Sequence, residues 1–265
     1  MDPIVQFKEM QRATWSGFAI LENLTGTAAP SLVKFAGVTK GAELLDVGCG
    51  TGVVGLTAAR LGARVTGADL TPELIAHAKE NAVLMKLEAS FLEADVEALP
   101  FPDAKFDFVV SQVGHMFAPR PEVAIKEMLR VLKPGGVVAF TTWPPELFVG
   151  RSFALMGKYS PPPLPGVSPP AQWGDPNIVR ERLGTAVRDL AFTRGRMTFP
   201  ILSVGHYRAF MEKNFGPAQK LLGSLDASDP AKAAALRRDM EDLASQYFDD
   251  NTLAQDYLIT RALKV

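Results

Sequence analysis

The sequence predicts an α/β fold in which helices cover both faces of a mainly parallel β-sheet, and three observations lead to this prediction. Between Glu43 and Thr142, short apolar segments alternate with helical segments, which is typical of parallel strands joined by crossover helices. A glycine-rich turn links the first of these strands to the next helix. The chain has 265 residues, 47% of them hydrophobic, so it can bury one large core and a smaller appended layer. We therefore expect a single compact domain.

Residues 1–36 are predicted to form a helical lid in front of the core, because apolar side chains recur at helical spacing in two segments, interrupted at Gly26 and Pro30. The core, residues 37–143, is predicted to contain strands at Glu43–Val47, Arg64–Ala68, Ala89–Glu93, Phe106–Ser111 and Val137–Thr142. The helices between them are predicted at about 52–61, 72–86 and 121–132. Leu132–Gly136 supplies a helix stop and a turn into the fifth strand.

Residues 144–265 are predicted to form a cap and then the closing strands of the same sheet. Eight prolines lie between residues 144 and 170, which indicates a loop-rich insertion. Its aromatic residues exceed what a solvated linker would carry, so we expect the insertion to pack over another surface. Further patterns predict a strand at 186–199, helices at 204–215 and 231–248, and a strand at 256–264.

Composition argues against several classes of partner. The net charge is −1 and no cluster of Lys and Arg is present, so nucleic acid is not an expected partner. Asp2, Lys8 and Glu9 argue against a signal peptide, and no apolar stretch is long enough to span a membrane. The single cysteine, Cys49, leaves no internal disulfide. We therefore expect a cytoplasmic protein with no membrane partner.

The strongest local signal is the glycine-rich turn, which lies in the segment Leu44-Leu-Asp-Val-Gly-Cys-Gly-Thr-Gly52. Gly48 and Gly50 allow the backbone to turn sharply and to approach a ligand closely, because they carry no Cβ. The following helix offers its amino-terminal amides to a polar or anionic ligand. If this segment is considered without the rest of the sequence, the alternative interpretation is an ordinary turn between a strand and a helix that binds no ligand.

Two carboxylates at the ends of later strands favour a ligand site over an ordinary turn. Asp69 ends the second strand and can accept both hydroxyls of a ribose. Helix capping is the alternative role, but Thr71 followed by Pro72 already supplies a cap. Asp95 follows the third strand, at the same edge of the sheet. These groups together predict a site the size of a nucleoside.

These segments resemble the class I methyltransferases that depend on S-adenosylmethionine (SAM), particularly the ubiquinone and menaquinone biosynthesis branch. The resemblance covers about residues 36–143. Besides the glycine-rich turn, it is carried by Val65-Thr-Gly-Ala-Asp69, Glu93-Ala-Asp-Val-Glu-Ala-Leu-Pro-Phe-Pro102, Phe106-Asp-Phe-Val-Val-Ser111 and Leu129-Arg-Val-Leu-Lys-Pro-Gly-Gly136. It implies a Rossmann-like sheet of seven strands whose last strand is antiparallel, with SAM as methyl donor and S-adenosylhomocysteine as product.

The resemblance also implies roles for individual residues. Gly48 and Gly50 would line the methionine part of the donor and Asp69 would hold the ribose, while Asp95 and the Val96 amide would bind the adenine. Asp46 would brace the turn from below. The predicted donor-binding residues are Asp46, Gly48, Cys49, Gly50, Asp69, Leu70, Asp95, Val96 and Gln112. Trp15 of the lid is a further candidate, because an aromatic face suits a sulfonium cation; core packing is the alternative.

Methyl transfer from a sulfonium needs alignment more than a dedicated base. His115, just after the fourth strand, is a candidate base for a hydroxyl acceptor, although it could equally form the wall of the pocket. His206, at the start of a helix of the cap, is the second choice. The three histidines lack metal-ligand spacing, so we expect no metal.

The acceptor is predicted to be a small apolar or aromatic metabolite. After the fourth strand the chain reads Ser-Gln-Val-Gly, which differs from the Asn/Asp-Pro-Pro-Tyr/Phe motif of methyltransferases that act on amino groups of nucleic acids. No cysteine is available as the nucleophile for methylation of pyrimidine C5, because Cys49 lies in the glycine-rich turn. An apolar acceptor pocket is one interpretation of several residues of the cap, and simple packing is the other. These residues are Phe148, Phe153, Met156 and Trp173.

Two rival functions stay open at this point. A nicotinamide-dependent oxidoreductase also combines a glycine-rich turn with an acidic residue, but here Val53 replaces the last glycine of the dinucleotide pattern and no Tyr-x-x-x-Lys pair occurs. A non-catalytic SAM-binding or regulatory protein would keep the donor site without an acceptor site. The sequence leaves open the methylated atom and the oligomeric state.

Overall fold

The computed structural model of the protein describes residues 2–265, so Met1, with which the predicted lid begins, lies outside the described residues. A single sheet forms its centre. The strands are β1 Glu43–Val47, β2 Arg64–Asp69, β3 Ala89–Glu93, β4 Phe106–Gln112, β5 Leu132–Thr142, β6 Val187–Pro200, β7 Phe248–Asp249 and β8 Thr252–Lys264. Their order is β3-β2-β1-β4-β5-β8-β6, with β7 paired to β8. β1 to β5 are parallel, and β8 runs antiparallel between β5 and β6. The predicted α/β class is confirmed.

The number of strands differs from the predicted seven, because the two-residue strand β7 makes eight. Asp250 and Asn251 join β7 to β8 with φ of 43° and 60°. Asp and Asn tolerate positive φ better than other side chains, so they can form a tight hairpin turn here. As a result β8 begins at Thr252, four residues before the predicted Asp256.

The central strands explain why helices are needed on both faces of the sheet. In β1 the four residues from Leu44 to Val47 are all buried, and in β4 the run Phe108–Gln112 is buried as well. Because successive side chains of a strand point to opposite faces, both faces must be covered. The α-helices are α1 Pro3–Trp15, α2 Glu22–Thr25, α3 Ala29–Ala36, α4 Val53–Arg60, α5 Pro72–Met85, α6 Pro121–Val131, α7 Phe148–Tyr159, α8 Pro176–Leu183, α9 Val204–Asn214, α10 Gly216–Ser228 and α11 Pro230–Ser245.

Only part of the predicted lid lies in front of the core. Helix α3 buries Leu32, Val33 and Ala36 in the main core, where it packs against α4, β4 and β5. Pro30 begins this helix rather than interrupting it, because a proline in the first turn removes an amide that would have no helical partner. The lid is therefore formed by α1, α2 and the 3₁₀ turn Phe18–Leu21 between them.

The cap is more helical than the sequence predicts. The proline-rich segment after Trp143 contains α7 and α8 with a loop between them, and α9, α10 and α11 pack together beside α7. Helix α10 lies in a segment with no predicted element, because its first residues, Gly216 and Pro217, are typical of turns. Among residues 2–265, no helix is long and apolar enough to cross a membrane.

Candidate active site

A cavity of about 820 Å³ lies at the carboxyl ends of β1 to β4, where the strand order reverses between β1 and β4. Open α/β sheets bind ligands at such switch points. The residues that line it from the strand ends are Gly48, Gly50, Asp69, Leu70, Ala94, Asp95, Val96, Gln112, Val113 and Gly114. We call it the donor cavity. The structure thus brings together most of the residues predicted for donor binding.

The glycine-rich turn has the shape of a cradle. A Cβ on Gly48, whose φ is +61°, would lie 2.7 Å from the Cα of Gly114, so the loops after β1 and β4 touch through their backbones. A Cβ on Gly50 would meet no protein atom within 4 Å and would stand in the donor cavity instead. The turn therefore lets a ligand approach its backbone, which is the fit that SAM requires.

Two predicted residues of this turn do not line the cavity. The Oδ2 atom of Asp46 accepts a hydrogen bond from the Gly55 amide at 2.9 Å, so Asp46 ties β1 to helix α4 from below. Burial raises the pKa of Asp46 to about 7. The side chain of Cys49 packs with Ile75 and Phe91, away from the cavity. Cys49, which is among the predicted donor-binding residues, is corrected in this respect, because its side chain packs against α5 and does not line the cavity.

Asp69 lines the cavity with its carboxylate held by two backbone amides. Oδ2 accepts from Gly50 N at 2.8 Å and Oδ1 from Thr71 N at 2.9 Å. Burial raises the pKa of Asp69, and the hydrogen bonds from Thr71 and Gly50 oppose that effect. Each carboxylate oxygen keeps acceptor capacity beyond one amide, so a pair of ribose hydroxyls can still be accommodated.

The far end of the donor cavity carries an ion-pair network that sequence reasoning missed. Lys8 Nζ lies 2.5 Å from Asp95 Oδ2 and 2.6 Å from Glu97 Oε2. Arg120 donates to Glu97 through its backbone amide and its guanidinium. The sequence did contain a signal that α1 borders this cavity. Lys8, Gln11 and Trp15 are spaced so that they lie on one face of the helix, and all three line the cavity.

A second cavity adjoins the donor cavity, and we call it the acceptor cavity. It has a volume of about 930 Å³ and shares Trp15, Phe18, Val113 and Phe117 with the donor cavity. Its other walls come from the lid, α7, β6 and helices α9 to α11. No Asp, Glu, Lys, Arg or His lines it among residues 2–265. An uncharged apolar molecule is therefore the ligand that it suits.

Several expected pocket residues are found in these walls. Phe148, Phe153 and Met156 line the acceptor cavity. Trp173 does not, because its ring is fully buried against His115 at a centroid distance of 4.8 Å. Trp15 lines both cavities, with its ring centroid 4.6 Å from that of Phe117. The expectation for Trp173 is thus corrected, and Trp173 packs the core below α8.

Gln112, at the end of β4, links the donor cavity to the lid. Its Nε2 donates to the carbonyl oxygen of Thr25 at 2.7 Å, which fixes the end of α2. Its Oε1 is buried and has no hydrogen-bond partner among residues 2–265. Gln112 therefore holds an unused acceptor at a wall of the donor cavity.

The two candidate bases are corrected by the structure. The His115 ring has no exposed surface and packs against Phe140 and Trp173; burial, together with the charge of Arg182, lowers its pKa to about 3. A ring with so low a pKa does not readily accept a proton at neutral pH, and His115 instead forms part of the wall of the donor cavity, which is the alternative role given above. His206 is exposed at the start of α9, where Nδ1 accepts from Leu202 N, and it lines neither cavity. Within residues 2–265, no group of three or more metal-ligating side chains is suited to a metal ion.

Comparison with known proteins agrees with this geometry. Residues 45–140 match the family described as a methyltransferase domain. An uncharacterised Mycobacterium tuberculosis protein is 34% identical over 257 residues, covering 96% of this chain and 93% of that protein. A demethylmenaquinone methyltransferase from Thermus thermophilus is 42% identical over 105 residues, covering 39% of this chain and 48% of that enzyme. The YcgJ protein from Bacillus subtilis shares the fold, with a TM-score of 0.63 at 17% identity over 90% of this chain and 98% of that one.

The Rossmann-like sheet with a glycine cradle at its switch point, together with the family match over residues 45–140, identifies a methyltransferase domain. The chain belongs to the class I SAM-dependent methyltransferases, and it is an enzyme of that family. The resemblance predicted from the motifs is confirmed.

Proposed function

We propose that this enzyme transfers the methyl group of SAM to a small apolar or aromatic metabolite held in the acceptor cavity. The observation that carries the proposal is the position of that cavity, which is uncharged, lies under the cap and shares a wall with the donor cavity. Pockets of this composition select ligands by apolar contact and use a few polar groups for orientation.

In this proposal, each part of the methyl donor is bound by residues that line the donor cavity. Gly48 and Gly50 would lie along the methionine part, Asp69 would accept the ribose hydroxyls, and Asp95 with the Val96 amide would receive the adenine. SAM, when bound, supplies an electrophilic methyl group on a sulfonium. The burial of Asp69 favours hydrogen-bond donors that satisfy its oxygens.

Alignment and exclusion of water are the contributions that the protein makes to the reaction in this proposal. In-line displacement gains most from holding the two reacting atoms in a near-attack geometry. Trp15, Phe18, Val113 and Phe117 stand where the two cavities meet, so they would order both partners and exclude water. No ionised side chain lines the acceptor cavity among the described residues, so the proposal assigns no general base.

Calorimetric and thermal-shift titrations with S-adenosylhomocysteine and with NADH test the donor assignment. At a hundred times its dissociation constant a ligand adds about 2.7 kcal/mol of stability, or roughly 5–10 °C in melting temperature for a chain of this size. We expect this effect from S-adenosylhomocysteine for the wild type and for the control Asp242→Ala, whose side chain is exposed on α11. Asp69→Ala should lose it.

The same preparations are then incubated with methyl-labelled SAM and a panel of uncharged apolar phenols, amines and alcohols, beside their carboxylated analogues. Label should appear in uncharged acceptors and not in the charged ones, and Asp69→Ala should abolish it. Stabilisation by NADH alone would contradict the donor assignment. Transfer confined to charged acceptors would contradict the proposed acceptor class.

A further inference from the structure

Two polar side chains that line the acceptor cavity have no hydrogen-bond partner among residues 2–265. These are Tyr207 on α9 and Gln255 on β8, and each is 5% exposed. Neither the Tyr207 hydroxyl nor the Gln255 carboxamide is among the side-chain atoms that are both fully buried and unpaired, so both groups reach the surface of the cavity. Trp143, which follows β5, lines the same cavity, and its indole N–H also has no partner among these residues. A few polar groups in an otherwise apolar pocket orient the ligand, so these three point to a ligand.

The remaining polar groups of the cavity differ from these three, because they are satisfied by the protein. Thr25 Oγ1 donates to the carbonyl of Leu21 at 3.2 Å, and Ser152 Oγ donates to that of Phe148 at 2.8 Å. Trp15 Nε1 donates to Gln11 Oε1 at 3.1 Å. Tyr207, Gln255 and Trp143 are therefore the polar side chains of the cavity, among residues 2–265, that are left for a ligand.

Tyr207 and Gln255 line the acceptor cavity but do not belong to the wall shared with the donor cavity. Tyr207 packs against the rings of Phe148 and Phe199, each at a centroid distance of 5.6 Å. Gln255 faces Met197 across the β6–β8 pair, beyond the last residue that β8 pairs with β5. Neither Tyr207 nor Gln255 lines the donor cavity. A ligand that reached them would therefore present a different part of itself to the methyl donor.

The chemistry of the two side chains restricts the group that they can bind. Burial raises the pKa of Tyr207, so its hydroxyl stays a neutral donor. The Gln255 carboxamide offers one acceptor and two donors. No charged side chain lines the cavity to compensate an ionic ligand, so a buried carboxylate or ammonium would be left unpaired. An uncharged oxygen can accept a hydrogen bond from the Tyr207 hydroxyl or from the Gln255 carboxamide without leaving a charge unpaired.

We propose that Tyr207 and Gln255 form a recognition site for an uncharged oxygen, a carbonyl or hydroxyl, carried by the acceptor away from its methylated atom. This inference rests on the proposed function and narrows its substrate class. The acceptor is an uncharged, mainly apolar molecule with a second polar group that does not react. The two side chains act as specificity residues that orient the reacting end toward the donor cavity.

The test uses 6-propionyl-2-(dimethylamino)naphthalene, an uncharged apolar fluorophore whose emission moves to longer wavelength when its carbonyl accepts a hydrogen bond. Its analogue 2-(dimethylamino)-6-propylnaphthalene has the same shape without the carbonyl. Both are titrated into the wild type, Tyr207→Phe, Gln255→Met and the control Tyr159→Phe, which removes a hydroxyl that bonds Asp239 outside both cavities. Binding of S-adenosylhomocysteine to each protein shows that the donor site is folded.

We expect the ketone to bind the wild type and Tyr159→Phe equally, and Tyr207→Phe and Gln255→Met roughly 2–10-fold more weakly, with emission at shorter wavelength. The analogue without the carbonyl should not discriminate among the four proteins. Equal ketone affinity and emission in all four would overturn this inference and leave the proposed function intact. Failure of the wild type to bind either fluorophore while it binds S-adenosylhomocysteine would overturn the apolar acceptor site itself. If Tyr207→Phe does not fold, Gln255→Met decides the question alone.

Discussion

Asp46 is a buried carboxyl beneath the glycine-rich turn, and its Oδ1 atom has no hydrogen-bond partner among residues 2–265. Burial raises the pKa of Asp46 to about 7; the hydrogen bond from Gly55 opposes this rise, and the charge of Asp69 adds to it. The folded protein therefore binds a proton at Asp46 that the unfolded chain releases near its ordinary pKa of 3.8. The stabilisation from this proton is complete below pH 3.8 and is lost as the pH rises to about 7.

Asp46→Asn should remove this loss of stability. An amide keeps an oxygen for the Gly55 amide and carries no charge, so the variant gains stability relative to the wild type between pH 4 and pH 8, by about 2–4 kcal/mol. Urea denaturation at several pH values measures the difference. The exposed control Asp242→Asn should follow the wild type. If the curves of Asp46→Asn and wild type stay parallel over this range, the raised pKa is refuted.

Residues at strand ends could be predicted from sequence because their placement is local. Gly48, Gly50 and Asp69 each follow an apolar run that fixes both the strand and the edge at which it ends. Lys8 could not be assigned, since its partners Asp95 and Glu97 lie 87 and 89 residues away and depend on how α1 packs. The position of His115 after β4 was clear, but the burial of its ring depends on Trp173 of the cap.

At the scale of elements, helix α1 forms one side of the donor cavity through a single face. Lys8 pairs with Asp95 and Glu97, Arg12 pairs with Glu93, and Trp15 reaches both cavities. On the side of the cap, Lys220 of α10 donates to Thr14 Oγ1 at 2.6 Å. No residue of α1 is fully buried, so ion pairs and the ring contacts of Trp15 hold this helix in place. Elements with few buried apolar contacts open most readily.

Lys8→Met should therefore loosen α1 without unfolding the core. We expect several-fold weaker binding of S-adenosylhomocysteine, mainly through faster dissociation, and faster hydrogen exchange along residues 3–15. Because the Glu97 side chain is buried but keeps Arg120 as a partner, the free energy of unfolding should fall by about 1–3 kcal/mol. Stopped-flow binding and exchange mass spectrometry measure both effects, with Lys126→Met, exposed on α6, as the control. Unchanged dissociation in Lys8→Met would show that the ion pairs do not hold the lid closed.

The elements themselves could be predicted where the hydrophobic period is long and uninterrupted. The five parallel strands and the long strand β6 begin and end at most five residues from their predicted bounds. Other features escaped prediction, among them helices α7 and α8 in the proline-rich part of the cap. Strand β7 is only two residues long and exists because of the turn at Asp250 and Asn251. Helices α3 and α10 carry a proline in their first turn, where the same residue that breaks a helix interior can begin one.

At the scale of the whole molecule, the donor and acceptor cavities are connected through one wall. Trp15 and Phe18 come from the lid, and Val113 and Phe117 from the loop after β4. The Trp15 ring also contacts that of Phe215, next to α10, at a centroid distance of 5.8 Å. A ligand in either cavity contacts this wall, so ordering of the wall by the first ligand does not have to be repeated for the second.

The two ligands should therefore bind with positive coupling. Saturating S-adenosylhomocysteine is expected to tighten the binding of 2-(dimethylamino)-6-propylnaphthalene about 5-fold or more, and the fluorophore must then tighten S-adenosylhomocysteine by the same factor. Trp15→Ala, which removes one of the four side chains common to both cavities, should reduce this factor toward one while both ligands still bind. Titration of each ligand with and without the other measures the coupling. Independent binding of the two ligands to the wild type would mean that the shared wall is already ordered in the free enzyme. The lid would then shape the two cavities without responding to the binding of either ligand.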